Sequence, residues 1–208
     1  MALGPRIRAC FGPAERGVSE LYRRVFINLD TFAARIHERI CAGRILENGC
    51  GEGMLTGRLA RRFEASTIVG IDISPRLGRL FVGDRRRVTF VQAPLSEYAA
   101  SGGERFELAV ICDVLHHVPR KERHDLLRAA RDSLSPGGWL IVKDWEPTPT
   151  LPHWLAYASD RYLTGDRVDF PSAAALRGLL SDVCGQRGIK AEVRIPPWRN
   201  NLALFAQP

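Results

Sequence analysis

Two groups of residues in this chain could do chemistry. The first lies in Ile45 to Gly57, ILENGCGEGMLTG, where Ile45 and Leu46 run into Glu47, and Gly49, Gly51 and Gly53 follow at every second position. Glycine permits a tight turn at positive φ and lets backbone approach a ligand with no Cβ in the way. Asp72 ends the next apolar run, about 20 residues further on, where a carboxylate can grip a ribose diol. The second group is Asp113-Val114-Leu115-His116-His117-Val118-Pro119. Two histidines with an ordinary pKa of about 6.5 suit proton transfer at neutral pH.

These residues need elements to hold them. The run Arg44 to Glu47 reads as a strand, and Leu55, Leu59 and Phe63 mark a helix from Met54 to Phe63. Strand, glycine turn and helix open a βαβ nucleotide-binding unit. Further strands are expected at Thr67 to Asp72, Arg87 to Gln92, Phe106 to Cys112, Trp139 to Asp144, Lys190 to Ile195 and Asn201 to Ala206. Helices are expected from Ser19 to about Cys41, from Ser74-Pro75 to about Val82, from about Arg120 to Leu134, and from Pro171-Ser172 to Cys184. Ser135 to Gly138 reads as a tight turn, and residues 1 to 17 as irregular.

The glycine spacing separates two ligand classes. A dinucleotide fingerprint is G-x-G-x-x-G, but the sixth position counted from Gly49 is Met54. The pattern is instead acid-x-G-x-G-x-G, which resembles motif I of the class I S-adenosylmethionine (SAM) dependent methyltransferases. DVLHHVP, a helix, then L-S-P-G-G and a strand resembles the later part of the small-molecule branch of that family. The resemblance runs from about residue 18 to the end. It implies an α/β, three-layer Rossmann-like sandwich with a seven-stranded, mostly parallel sheet and an antiparallel C-terminal strand, in a single domain over residues 1–208. It implies SAM as cofactor and S-adenosyl-L-homocysteine as product.

The resemblance also carries cofactor contacts onto Glu47, Gly49, Cys50, Gly51, Gly53, Asp72, Ile73, Ala93, Pro94, Leu95, Asp113 and Val114. One position departs from the family. An Asp after the third strand commonly meets the adenine amino group, whereas Ala93, Pro94 and Leu95 stand here. Adenine would then rest on backbone and apolar groups. The N-terminal helix resembles the one this family lays over its cofactor.

Transfer to oxygen or nitrogen sheds a proton, so His116 and His117 are the candidate catalytic residues. Asp144, His153, Asp160 and Tyr162 are weaker candidates. Residues 145 to 170 carry Pro147, Pro149 and Pro152, which forbid a continuous helix, and the richest set of aromatic residues. That stretch reads as a substrate lid. His117, Asp144, Trp145, Trp154, Tyr157 and Tyr162 are the expected substrate contacts.

Composition narrows the class. The 208 residues suit one domain, with 45% hydrophobic and 25% charged content. No apolar run is long enough to span a bilayer, and no leader with a long apolar stretch opens the chain, so the expected location is cytoplasmic. Five cysteines without a CxxC pair argue against zinc or a disulfide framework, and no metal is expected. The net charge of +7 would favour acidic partners, an acidic carrier protein among them. The arginines are scattered, however, with no basic stripe interleaved with aromatics, which argues against nucleic acid. The expected function is methyl transfer from SAM to a small natural-product or lipid-like molecule. An RNA or protein methyltransferase, a SAM-binding protein without catalysis, and an NAD-dependent oxidoreductase are the alternatives. The last lacks the third fingerprint glycine and a Tyr-x-x-x-Lys pair.

Overall fold

A computed structural model describes residues 15–158 and 168–208. Two helices, α1 (Glu15–Phe26) and α2 (Leu29–His37), precede the sheet. The chain then runs through β1 (Arg44–Asn48), α3 (Met54–Arg62), β2 (Thr67–Asp72), β3 (Val88–Gln92), α4 (Leu95–Ala100) and β4 (Phe106–Cys112). A single 3-10 turn (Leu115–His117), α5 (Arg120–Asp132) and β5 (Leu134–Trp145) follow. The described residues end with α6 (Leu151–Ala158), α7 (Ala173–Cys184), β6 (Ile189–Arg194) and β7 (Asn201–Ala206).

The seven strands form one sheet in the order β3-β2-β1-β4-β5-β7-β6. Strands β1 to β5 pair in parallel, and β7 runs antiparallel to both β5 and β6. Strand order reverses between β1 and β4. The carboxyl ends of those two strands therefore open a crevice, the ligand position of open α/β sheets.

Alternation along the strands makes three layers. Ile45, Leu108, Val110 and Ile141 face a core shared with α2 and α3, built on Phe32, Ile36 and Leu59. Their neighbours Leu46, Ala109, Ile111 and Val142 face a second core shared with α5 and α7, built on Leu127, Ala130, Leu176 and Leu180. Buried on both faces, the central strands are nearly continuous apolar runs, and β4 reads FELAVIC, with Glu107 near its start as the one charged residue.

Several expected boundaries are corrected. The helix expected from Ser19 to Cys41 is two helices, the first beginning at Glu15 within the stretch read as irregular. Asn28 breaks it: its backbone is extended, and its side chain accepts the Thr31 N–H to cap α2. No helix spans Ser74 to Val82 among the described residues, only turns. Gly78 sits there at φ 58, and a Cβ on it would strike the Phe90 ring. The segment is instead pinned to the glycine turn through Gly78 N–H to Gly51 O and Leu80 N–H to Glu52 O. Helix α5 stops at Asp132, and β5 begins at Leu134 rather than Trp139. Ser135 to Gly138 bulge out of that strand, because Phe106 pairs with Leu134 while Leu108 already pairs with Trp139. Within the stretch where prolines forbid a continuous helix, the short helix α6 has Pro152 in its first turn, where the missing N–H costs nothing.

Candidate active site

All three motif glycines have positive φ: Gly49 at 79°, Gly51 at 48° and Gly53 at 87°. Each does so under a different constraint. A Cβ on Gly49 would collide with Val114 Cγ2, and one on Gly53 would meet Phe81, Gly78 and Phe90. At Gly51 the nearest atom to such a Cβ is Asp72 Oδ2 at 3.9 Å. The middle glycine thus faces open space bordered by a carboxylate, while the outer two are packed into the fold.

Asp72, at the end of β2, is half-buried. Its Oδ2 accepts the Gly51 N–H at 2.8 Å and its Oδ1 accepts the Ser74 N–H at 2.8 Å. The carboxylate therefore ties the glycine turn to the turn after β2. Glu47 is buried at the end of β1, 2% exposed. Burial, then the Glu47 and Asp72 charges, push the Cys50 thiol far up, so it stays neutral. Ile73 is exposed and Ala93 half-buried. Pro94 is exposed and caps α4, while Leu95 packs in the second core.

The carboxyl ends of β4 and β5 hold two polar pairs, one part-buried and one buried. Lys143, 1% exposed, donates from Nζ to Asp113 Oδ1 at 2.6 Å. His116 and Asp144 form the other: His116 Nδ1 lies 2.7 Å from Asp144 Oδ1, and Asp144 Oδ2 accepts the His116 N–H at 3.1 Å. Asp144 also accepts the Trp145 N–H. A carboxylate facing Nδ1 favours the tautomer with its proton on that nitrogen. Asp113, His116 and Asp144 can each offer one ligand atom within 4.8 Å of the others. A cation there would compete with the Lys143 ammonium for Asp113.

Aromatic groups wall the dyad. Phe170 stacks on His116 at 4.7 Å between ring centroids, and the exposed His117 lies 4.1 Å from it. His153 meets Phe170 edge-on at 5.5 Å and accepts the Trp145 indole N–H at 3.1 Å. Burial holds the His153 imidazole below its ordinary pKa. Trp145 is buried and packs against Phe26 of α1, whereas Trp154 is 63% exposed. Asp160, Tyr162 and the side chain of Tyr157 lie outside the described residues.

Sequence reasoning missed three features here. Lys143 is one residue of the strand expected at Trp139 to Asp144, and its partner Asp113 is 30 positions away. Phe170 is one among the aromatic residues of the stretch 145 to 170. Asp169, beside it, accepts from Arg120 and from the buried Arg123, and its N–H donates to His116 O. An Asp directly before that Phe was the available signal, but no spacing rule connects it to α5.

A model of a methyltransferase domain family matches residues 18–183. The chain belongs to this methyltransferase family. It is 26% identical over 192 residues to a ubiquinone biosynthesis O-methyltransferase of Xanthomonas oryzae pv. oryzae (strain PXO99A), covering 87% of this chain and 77% of that one. An O-methyltransferase family protein from Burkholderia thailandensis superposes with a TM-score of 0.70 at 17% identity, over 98% of this chain and 60% of that one. Human N-acetylserotonin methyltransferase, solved in complex with SAM, gives 0.65 at 16% identity, over 96% and 55%. The methyltransferase thus spans little more than half the length of those two structures, which share its fold.

Sheet order and family together make the chain a class I SAM-dependent methyltransferase, with SAM as cofactor. The residues present fit that group. A glycine with room above it, a carboxylate at its edge and buried acids at the strand ends suit a cationic nucleoside. Among the described residues no helix is long and apolar enough to cross a membrane.

Proposed function

We propose that this methyltransferase methylates a hydroxyl oxygen of a small aromatic molecule, with His116 as the general base. One observation carries the reading: a buried His116–Asp144 pair at the carboxyl ends of β4 and β5, walled by Phe170 and His153. The O-methyltransferase relatives agree with it.

Glu47, Gly49, Gly51, Asp72, Asp113 and Val114 would hold the cofactor. Bound SAM supplies a methyl made electrophilic by its sulfonium. The chain's own work is alignment and proton removal. Asp144 fixes the ring through Nδ1–H, leaving Nε2 to take the proton of the acceptor hydroxyl as its oxygen becomes a nucleophile. The same carboxylate then stabilises the imidazolium. Phe170 and His153 offer flat, apolar surfaces on which an aromatic acceptor can stack.

The test is transfer of a labelled methyl from SAM to a panel of phenols and catechols, with His116→Ala alongside. Loss of about a hundredfold or more in turnover with SAM affinity retained is the expected result. Equal turnover of the variant and the parent would overturn the assignment.

A further inference from the structure

We propose that Lys143 is a positioning residue for the cofactor: it locks the turn at Asp113 so that Val114 props the glycine turn from behind. The proposal rests on the reading that SAM occupies that turn.

Gly49 and Cys50 both donate their N–H groups to Ile71 O, at 2.8 and 3.1 Å. That fixes the turn on the β2 side. On the β4 side it is held by Val114, whose Cγ2 occupies the space a Gly49 Cβ would need. Val114 follows Asp113, the non-glycine residue with positive φ, 57°, among the described residues. Such a conformation is uncommon outside glycine, although Asp and Asn tolerate it best.

Lys143 holds it twice. The Lys143 carbonyl accepts the Asp113 N–H at 2.9 Å, and its ammonium donates to the Asp113 carboxylate at 2.6 Å. Cys112 and Lys143 are register partners, so the clamp comes straight across from the neighbouring strand. At 1% exposure this ammonium has no role at the surface. A buried cation is kept only where a partner compensates its lost hydration, and that partner is Asp113.

Two roles are separable. As a clamp, Lys143 acts on turn geometry and should matter equally for SAM and for its neutral-thioether product. As a charge, it should disfavour the cationic SAM alone. Lys143→Met keeps the length and removes the ammonium. Titration calorimetry with SAM and with S-adenosyl-L-homocysteine should show both affinities falling about tenfold, the scale of one charge-assisted hydrogen bond.

Parent-like affinities in Lys143→Met would overturn the proposal. So would a change confined to SAM. Should Lys143→Met not fold, Val114→Ala probes the other end of the same relay. It should weaken both ligands alike, and unchanged binding would sink the idea. A parent that binds neither ligand would instead remove the reading of the glycine turn, and the proposal with it.

Discussion

His116 and Asp144 stand 28 positions apart in sequence, yet the imidazole Nδ1 and a carboxylate oxygen meet at 2.7 Å in a buried pocket. The backbone N–H of His116 reaches the second oxygen of the same carboxylate at 3.1 Å. Ring and main chain are thus registered on one group, so the ring cannot turn without losing the carboxylate.

That geometry makes Asp144→Asn informative. An amide in place of the carboxylate can still accept at one atom, but it no longer compensates a protonated ring. Turnover should fall about a hundredfold or more, as when a base loses its orienting carboxylate. SAM affinity should hold, because Asp144 ends β5, which β4 separates from the strand that carries the glycine turn. Turnover and calorimetry on one preparation check both halves. A loss of SAM binding that tracks the loss of rate would show Asp144 to be part of the cofactor site instead.

The three glycines should answer differently to alanine. Each substitution forces an L-residue into positive φ, at about 1 kcal/mol or more. Gly49→Ala and Gly53→Ala add collisions with Val114 and with Phe81 to that strain, so the melting temperature should drop by several degrees. Gly51→Ala meets only Asp72 Oδ2 at 3.9 Å. It should melt within a few degrees of the parent, since about 1 kcal/mol shifts a chain of this size by roughly 2–4 °C, yet lose SAM binding. Gly51→Ala binding SAM like the parent would mean that the space above this glycine is not the cofactor's.

These contrasts show how far sequence could reach. The glycine string, Asp72 and the strand at Phe106 to Cys112 were legible because their physics is local: positive φ needs glycine, and a strand buried on both faces must be apolar. The break at Asn28 was available in principle, since an Asn followed by an apolar-periodic stretch is a cap signal, but the periodicity across it was continuous enough to hide the break. The expected helix after Ser74 failed because Gly78 packs against Phe90, a contact between segments that no window of sequence holds. Lys143 and Phe170 were unreadable for the same reason, each being defined by a partner on another element.

The segment before Phe170 should carry an acid-sensitive part of the stability. Asp169 is held below the usual carboxylate range, chiefly by the Arg120 hydrogen bond and also by Arg123. A depressed folded-state pKa gives stability that is complete above the unfolded value, about 3.9, and fades as pH falls through the folded one. Asp169 is 41% exposed, so solvent screening limits the effect, and Asp169→Asn should cost roughly 1 kcal/mol at pH 7. Melting curves of parent and variant should therefore converge as pH drops below about 4. A gap that stays constant down to pH 3 would show that the charge of Asp169 is not what stabilises the segment.

Cysteine labelling reads the electrostatics of the glycine turn directly. Cys50 is buried inside it, and burial reinforced by Glu47 and Asp72 keeps its thiol protonated. Cys41 is exposed. Only the thiolate alkylates, so iodoacetamide at pH 8 should modify Cys41 readily and leave Cys50 untouched until the chain is unfolded in urea. Glu47 and Asp72, which add to burial in suppressing the thiolate, also favour a sulfonium cation over its neutral product. Peptide mass spectrometry decides the matter. If Cys50 were alkylated as fast as Cys41 in the folded protein, the turn would be open to solvent, and the electrostatic argument for a cationic ligand would lose its footing.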